Sequence, residues 1–260
     1  YTAADRGFQR FYKAVEPVGD VKRDWEIISL MSTAMGYPMH YNNTQEIWDE
    51  LRELCPIYYG ATYEKMADLA YIQWPCPTLE SPGTSYLYEG GNFDTPNGKG
   101  QFYTCEWRPP IDKVSDEFPM VLATVREVGH YSCRSMTGNC KALAALADEP
   151  GFIQINTEDA ARFGIRDQEL VWVRSRQGKV ITRANVSNRP NKGAVYMTYQ
   201  WWIGACNELV AENLSPITKT PEYKYCAVAV DAIKDQEDAE QYVVREYDNI
   251  KRRLRETAEG

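Results

Sequence analysis

At 260 residues, with 43% hydrophobic and 25% charged side chains, the chain has the make-up of a soluble globular protein of one large or two modest domains. Its net charge of -8 argues against non-specific nucleic-acid binding, which rests on neutralising phosphates, but leaves room for a local basic pocket. The scattered cysteines (Cys55, Cys76, Cys105, Cys133, Cys140, Cys206, Cys226) form no C-x-x-C pair, so spacing excludes a disulfide framework or a zinc or iron–sulfur site and points to a reducing compartment.

The first third reads as helical. Asp24 can cap a helix with Ile27, Ile28, Met31 and Met35 at helical spacing, stopped by Gly36. Thr44 can cap a second, with Ile47, Trp48, Leu51 and Leu54, ending near Pro56; Thr62 can cap a third, with Met66, Leu69 and Ala70. From 73 to 119 the chain turns rich in Pro, Gly and Asn, as in Trp74-Pro75-Cys76-Pro77 and Thr95-Pro96-Asn97-Gly98. A domain boundary is expected here, before Gln101. The stretch is too long for an empty connection, so parts of it should pack on a neighbour.

From Met120 the pattern is mixed. Residues 120–125 form a short apolar run, as in a buried strand. Residues 141–148 predict an Ala/Leu-rich helix ended by Pro150, and Thr157 caps a short helix ended by Gly164. Residues 170–186 predict a β-hairpin: Val171 and Val173 alternate with polar partners, Gln177-Gly178 turns the chain, and Val180, Thr182, Ala184 and Val186 alternate back. Strands are expected within 193–201 and 225–230. A final helix over 235–255 carries an apolar stripe of Ala239, Val243, Tyr247, Ile250 and Leu254.

Three segments carry chemistry. Residues 126–137 concentrate arginines, hydroxyls, His130 and Tyr131 in a loop after a buried strand. That composition suits a polar surface loop or a cradle for an anionic planar ligand. Tyr199-Gln200-Trp201-Trp202 with Asn207 suits a core strand end or an amide-edged shelf for a purine or pterin. Residues 216–226 bring Lys219 and Lys224, as solvated charge or as anion contacts. No nucleophile–base pair and no Walker loop stands out.

Taken in order, 126–137, Asp159-Ala160, Gly164-Ile165, the 171–178 hairpin, Asn207 and 221–224 with Cys226-Ala227-Val228 resemble the dinucleotide-binding domain of the dimethyl-sulfoxide-reductase family of molybdopterin enzymes. Residues 125–132 and 196–228 most resemble that family's hydrogenase-linked molybdenum formate dehydrogenases. The resemblance runs over essentially the whole chain, through Asp24-Trp25, Trp74-Pro75 and Asn97-Gly98-Lys99. The ordered set carries it, not any single motif.

The resemblance implies an α+β fold. Residues 101–260 would form a six-stranded mixed, double-psi-like β-barrel with helices and a C-terminal helix; residues 1–100 would be the helical tail of a neighbouring α/β domain plus a linker. It implies that Arg126, Glu127, His130, Tyr131, Ser132, Cys133, Arg134, Ser135, Met136 and Thr137, with Tyr199, Asn207, Tyr223 and Lys224, contact molybdenum bis(molybdopterin guanine dinucleotide). Arg126 and Lys224 would neutralise charge; Tyr131, Tyr199 and Tyr223 would shelve or hydrogen-bond the cofactor; Ser132, Thr137 and Asn207 would orient it.

The family's 4Fe-4S cysteines, its metal-ligating selenocysteine or cysteine, and the histidine and arginine beside that ligand belong to an N-terminal part with no counterpart in these residues. No catalytic residue or metal ligand is therefore assigned. Cys133 and Cys140 read as small buried residues or inert thiols. The implied activity is oxidation of formate to carbon dioxide by a larger cytoplasmic enzyme, this chain alone being inactive. The implied partners are the N-terminal remainder of that enzyme and an iron–sulfur electron-transfer subunit of a formate hydrogenlyase complex, with no nucleic acid and no membrane insertion. A non-catalytic module binding the dinucleotide or a partner is the alternative from another class. Another molybdopterin oxidoreductase, such as a nitrate reductase, is the alternative within the family.

Overall fold

The computed structural model describes residues 2–69, 71–146 and 150–259. Two compact units divide the chain, Tyr1–Cys105 and Glu106–Gly260. In the first, β1 (Gly7–Phe8) pairs antiparallel with β2 (Ile72–Gln73), and three helices lie between them: α1 (Asp24–Ala34), α2 (Thr44–Leu54) and α3 (Tyr63–Leu69).

The helices form where the sequence predicts them, but two start one residue early. Arg23, not Asp24, flanks α1, its N–H donating to Glu26 at 2.8 Å. Asn43, not Thr44, caps α2: its Oδ1 accepts from the N–H groups of Gln45 and Glu46 at 2.9 and 3.1 Å. One carbonyl oxygen thereby satisfies two backbone donors that the first turn leaves open. Thr62 does cap α3, accepting from Lys65 N–H at 3.1 Å. Ala70 and the Leu69 side chain lie outside the described residues.

The small core of this unit is Phe8, Ala61, Met66, Ile72 and Cys76, walled by Trp48, Tyr58, Tyr63 and Trp74. Phe8 meets Trp48 and Tyr58 edge-on, with ring centroids 5.0 and 4.8 Å apart. Ile27, Ile28, Met31 and Met35 do not join it; they are exposed. Part of the turn-rich stretch packs back, as expected: the Arg6 guanidinium donates to the carbonyls of Thr84 and Ser85.

The second unit is built from β3 (Met120–Val125), α4 (Lys141–Ala144), β4 (Phe152–Asn156), α5 (Thr157–Phe163), β5 (Leu170–Arg174), β6 (Lys179–Ser187), β7 (Ala194–Thr198), β8 (Cys226–Ala232) and α6 (Gln236–Glu259). Six strands close a barrel in the order β3-β7-β4-β6-β5-β8. The β3/β7 and β4/β6 pairs are parallel and the others antiparallel, so the barrel is mixed, as the family resemblance implied. Closure leaves no free sheet edge.

Inward-pointing Leu122, Ile153, Ile155, Val171, Val173, Val195, Met197 and Val228 are sealed from solvent. The β5–β6 hairpin is the one the alternation predicts, closed by Ser175 N–H donating to Gly178 at 2.9 Å. Asn156 rather than Thr157 caps α5, accepting from Glu158 N–H, and Gly164 ends it at φ 69°, where only a residue without Cβ is unstrained. Helix α4 spans four residues rather than the eight expected; residues 147–149 lie outside the described set. Along α6, Ala239 and Val243 pack on Leu170, Ile181 and Ile203, while Leu254 at the end of the predicted stripe is exposed. No described helix is long and apolar enough to cross a membrane.

Candidate functional site

Strand register decides which residues meet. Because β3 runs parallel to β7, with Val125 opposite Thr198, and antiparallel to β8, with Leu122 opposite Cys226, the exits of β3 and β7 and the entry of β8 open at one end of the barrel. There Arg126 Nε donates to Tyr199 OH at 2.7 Å, and Gln200 Nε2 donates to Glu127 at 3.4 Å. Lys224 Nζ donates to the Thr124 carbonyl at 2.5 Å, and Thr124 Oγ1 donates to the Tyr223 carbonyl at 3.1 Å. Three segments remote in sequence thus form one rim.

The loop after β3 folds around Thr137. Its Oγ1 lies 3.0 Å from His130 Nδ1 and accepts from Tyr131 N–H at 3.2 Å. Asn139 Nδ2 donates to the Ser135 carbonyl at 2.8 Å. Ser132 and Arg134 take left-handed backbone conformations, at φ 47° and 67°. His130 is buried, whereas Tyr131, Cys133, Ser135 and Met136 are exposed; of the two readings of Cys133 and Cys140, that of small buried residues fails, because both are exposed in the segment between β3 and α4. The buried thiols are elsewhere: Cys76 lies in the core of the first unit, and in the barrel the Cys206 and Cys226 thiols are pushed up to about 12 by burial.

Burial pushes the Glu127 carboxyl above the usual carboxylate range, partly opposed by the nearby Arg134 charge. Burial also pushes the His130 imidazole below the usual histidine range, and Arg134 adds to that shift. His130 Nε2 and Gln200 Oε1 are buried with no hydrogen-bond partner among the described residues. Orphaned buried polar atoms cost on the order of 1–3 kcal/mol each. Both lie on residues at this barrel end, Gln200 Oε1 as an acceptor and His130 Nε2 as donor or acceptor by tautomer, so together with the cationic Arg126 and Lys224 they suit a polar ligand that brings both anionic groups and N–H donors.

Asn207 is set apart from this network. It lies exposed on the one-turn helix Cys206–Leu209, and among the described residues its side chain hydrogen-bonds to none of the rim groups. Lys219 makes a local turn, its Nζ donating to the Pro216 carbonyl at 3.2 Å. Thr124 belongs to the site without being singled out in the sequence, and Trp201 stands in the Tyr199–Trp202 segment without being assigned a contact of its own. A hydroxyl ending the apolar run 120–125 was the available signal for Thr124; an aromatic pair at a strand end was an ambiguous one for Trp201.

A closed mixed barrel with a cationic and hydroxyl-rich rim is the class of domain that residues 120–227 match, the family described as "Molydopterin dinucleotide binding domain". The chain is 74% identical to "Formate dehydrogenase H" of Escherichia coli (strain K12), over 99% of its own length and 36% of that protein's. It is 37% identical to "F420-dependent formate dehydrogenase 2 subunit alpha" of Methanococcus maripaludis, over 90% of its own length and 34% of that protein's. Among solved structures, "Acetylene Hydratase from Pelobacter acetylenicus" shares the fold with TM-score 0.62 at 17% identity, covering 88% of this chain and 35% of that one. The chain is a homologue of formate dehydrogenases over nearly its whole length, and its residues 120–227 are a molybdopterin dinucleotide binding domain. It spans about a third of the length of these relatives.

Proposed function

We propose that this chain supplies the cofactor-holding barrel of a cytoplasmic formate dehydrogenase. The observation that carries the reading is the convergence of Arg126, Tyr199, Tyr223, Lys224 and the 126–137 loop at one barrel end, beside the orphaned His130 Nε2 and Gln200 Oε1. The group held is molybdenum bis(molybdopterin guanine dinucleotide), which when bound supplies the centre where formate is oxidised to carbon dioxide.

The chain's own work is binding and orientation. Arg126 uses only Nε on Tyr199, leaving both terminal nitrogens for a phosphate. Lys224 keeps two N–H donors after bonding Thr124. Exposed Tyr131 and Tyr223 offer ring faces, and Ser132, Cys133, Ser135, Met136 and Thr137 line the loop that would follow the cofactor's edge. Glu127, His130 and Arg134 set the charge beneath it. Asn207 would contact the cofactor from its separate one-turn helix.

On this reading residues 1–100 are the tail of a neighbouring α/β domain, and 101–260 the cofactor-binding domain. Electrons leave for a 4Fe-4S cluster held by the N-terminal remainder of the enzyme, and then for an iron–sulfur subunit of a formate hydrogenlyase complex.

Anaerobic native mass spectrometry of the purified holoenzyme tests the reading. Arg126→Ala and Lys224→Ala are expected to lose most of the pterin dinucleotide mass that the parent protein carries. Stoichiometric pterin in both variants would falsify it.

A further inference from the structure

The residue that organises the loop is not on it. Trp201 follows β7, is 3% exposed, and donates from Nε1 to Thr198 Oγ1 at 2.9 Å. Its other neighbours belong to separate segments. The Arg134 guanidinium lies 4.1 Å from the indole centroid, and the His130 ring meets it edge-on at 5.9 Å and 83°. On a third side is Gly151, at φ 79°: a Cβ there would fall 2.3 Å from the indole Cδ1. The indole is thus wedged between a backbone that must be glycine and the two loop residues that carry the site's charge and its orphaned nitrogen.

The loop needs such a wedge. Ser132 and Arg134 both hold left-handed backbone conformations that a side chain disfavours, and such conformations persist only where the surroundings over-determine them. A half-buried guanidinium 4.1 Å from a tryptophan ring centroid is a cation–π arrangement. It fixes Arg134, and through Arg134 the field felt by Glu127 and His130.

We propose that Trp201 is a positioning residue for cofactor binding, seating Arg134 and His130 so that the 126–137 loop meets the pterin dinucleotide in one geometry. This rests on the reading of the barrel end given above. Trp201 itself touches no cofactor in this scheme; it acts through its two neighbours.

The test compares Trp201→Leu, which removes the aromatic face, with Trp201→Phe, which keeps a face over Arg134 and loses only the Nε1 hydrogen bond. Arg134→Gln breaks the same stack from the exposed side, should Trp201→Leu fail to fold. Two readouts are taken on the holoenzyme: pterin dinucleotide retained per chain, and the His130 titration by NMR of histidine-labelled protein, assigned by its loss in His130→Gln.

Trp201→Leu and Arg134→Gln should retain roughly tenfold less pterin, Trp201→Phe should stay close to the parent, and the His130 pKa should rise only where the stack is lost. If Arg134→Gln and His130→Gln shed pterin while a folded Trp201→Leu keeps both pterin and the parental His130 titration, Trp201 is ordinary core and the proposal falls, with the barrel-end reading intact. If no variant in the loop or the stack sheds pterin, the barrel-end reading falls and takes this proposal with it.

Discussion

In the barrel, Leu122, Ile153, Val171, Val195 and Val228 are sealed from solvent, whereas Ile28 and Met31 on α1 and Met35 just after its end stand 60%, 62% and 81% exposed. Both regions carry apolar residues at the period of their secondary structure. They differ in what that period faces. Barrel strands close on one another, so each inward side chain meets others of the same sheet and no edge remains. Helix α1 has no such closure, and its stripe is surface. Periodicity therefore identifies an element and one of its faces, but not whether anything covers that face.

The largest expected effect sharpens this contrast. Leu122→Ala and Ile153→Ala should each destabilise by about 3–4 kcal/mol, because each leaves a cavity in a closed wall. Met31→Ala on α1 should stay within roughly 0.5 kcal/mol, as for other exposed positions. Urea unfolding of the three variants measures this; equal losses would break the comparison.

Next come two glycines with similar backbones. At Gly204, φ 76°, an added Cβ would lie 2.4 Å from the Ile181 carbonyl oxygen and 2.8 Å from that of Pro150. At Gly36, φ 93°, it would meet nothing. Gly36→Ala should cost about 1 kcal/mol from the left-handed backbone alone. Gly204→Ala should cost roughly 3 kcal/mol or more, since two backbones must move. Thermal melts showing the same cost at both sites would mean that the barrel yields as easily as the helical unit.

Smaller again are the caps. Asn156→Ala in the barrel unit loses both the cap to Glu158 and a 2.9 Å donation to the Pro190 carbonyl, while Asn43→Ala loses a cap in a solvent-exposed setting. Losses near 2 and 1 kcal/mol respectively are expected. Thr44→Ala and Thr157→Ala should do less than their asparagine neighbours, and the reverse ranking would return the caps to the threonines.

The smallest effect is a pH dependence, confined to the barrel unit. His130 has a folded pKa below its usual value of 6.5, so its contribution is full above that value and is lost as pH falls through the lowered pKa. Glu127, raised by burial, works in the opposite sense: its ionisation costs stability at neutral pH, and the cost is relieved as pH falls through the raised pKa. Relative to the parent, His130→Gln should therefore gain in Tm as the solution is acidified, and Glu127→Gln should lose an advantage held at neutral pH. Parallel Tm curves for parent and variants would show that burial perturbs neither group.

Much of the site was legible in advance. The 126–137 loop stands out because it packs donors next to the end of an apolar run, and Arg126, Tyr199, Tyr223 and Lys224 do converge on one rim. Gln200 was noticed only as an amide beside aromatics; its bond to Glu127 links residues 73 apart. Trp201 was unreadable as a positioning residue, because its aromatic character is equally that of core. Asn207 shows the converse: a plausible amide near the shelf that the fold leaves outside the network.

What the residues by themselves determined is local: the 170–186 hairpin, the strand at Met120–Val125, the stop at Gly164, and the approximate helix starts. Alternation, turn chemistry and left-handed glycines act over a few residues and need no partner. The caps at Asn43 and Asn156 are local too, each side-chain oxygen reaching N–H groups two or three residues on, one position before the threonines that the pattern suggested. Only tertiary structure decided that α1 stays uncovered and that the strands close as β3-β7-β4-β6-β5-β8, because burial depends on what packs opposite. Barrel order is set by register among strands up to about a hundred residues apart, none of which a local pattern encodes.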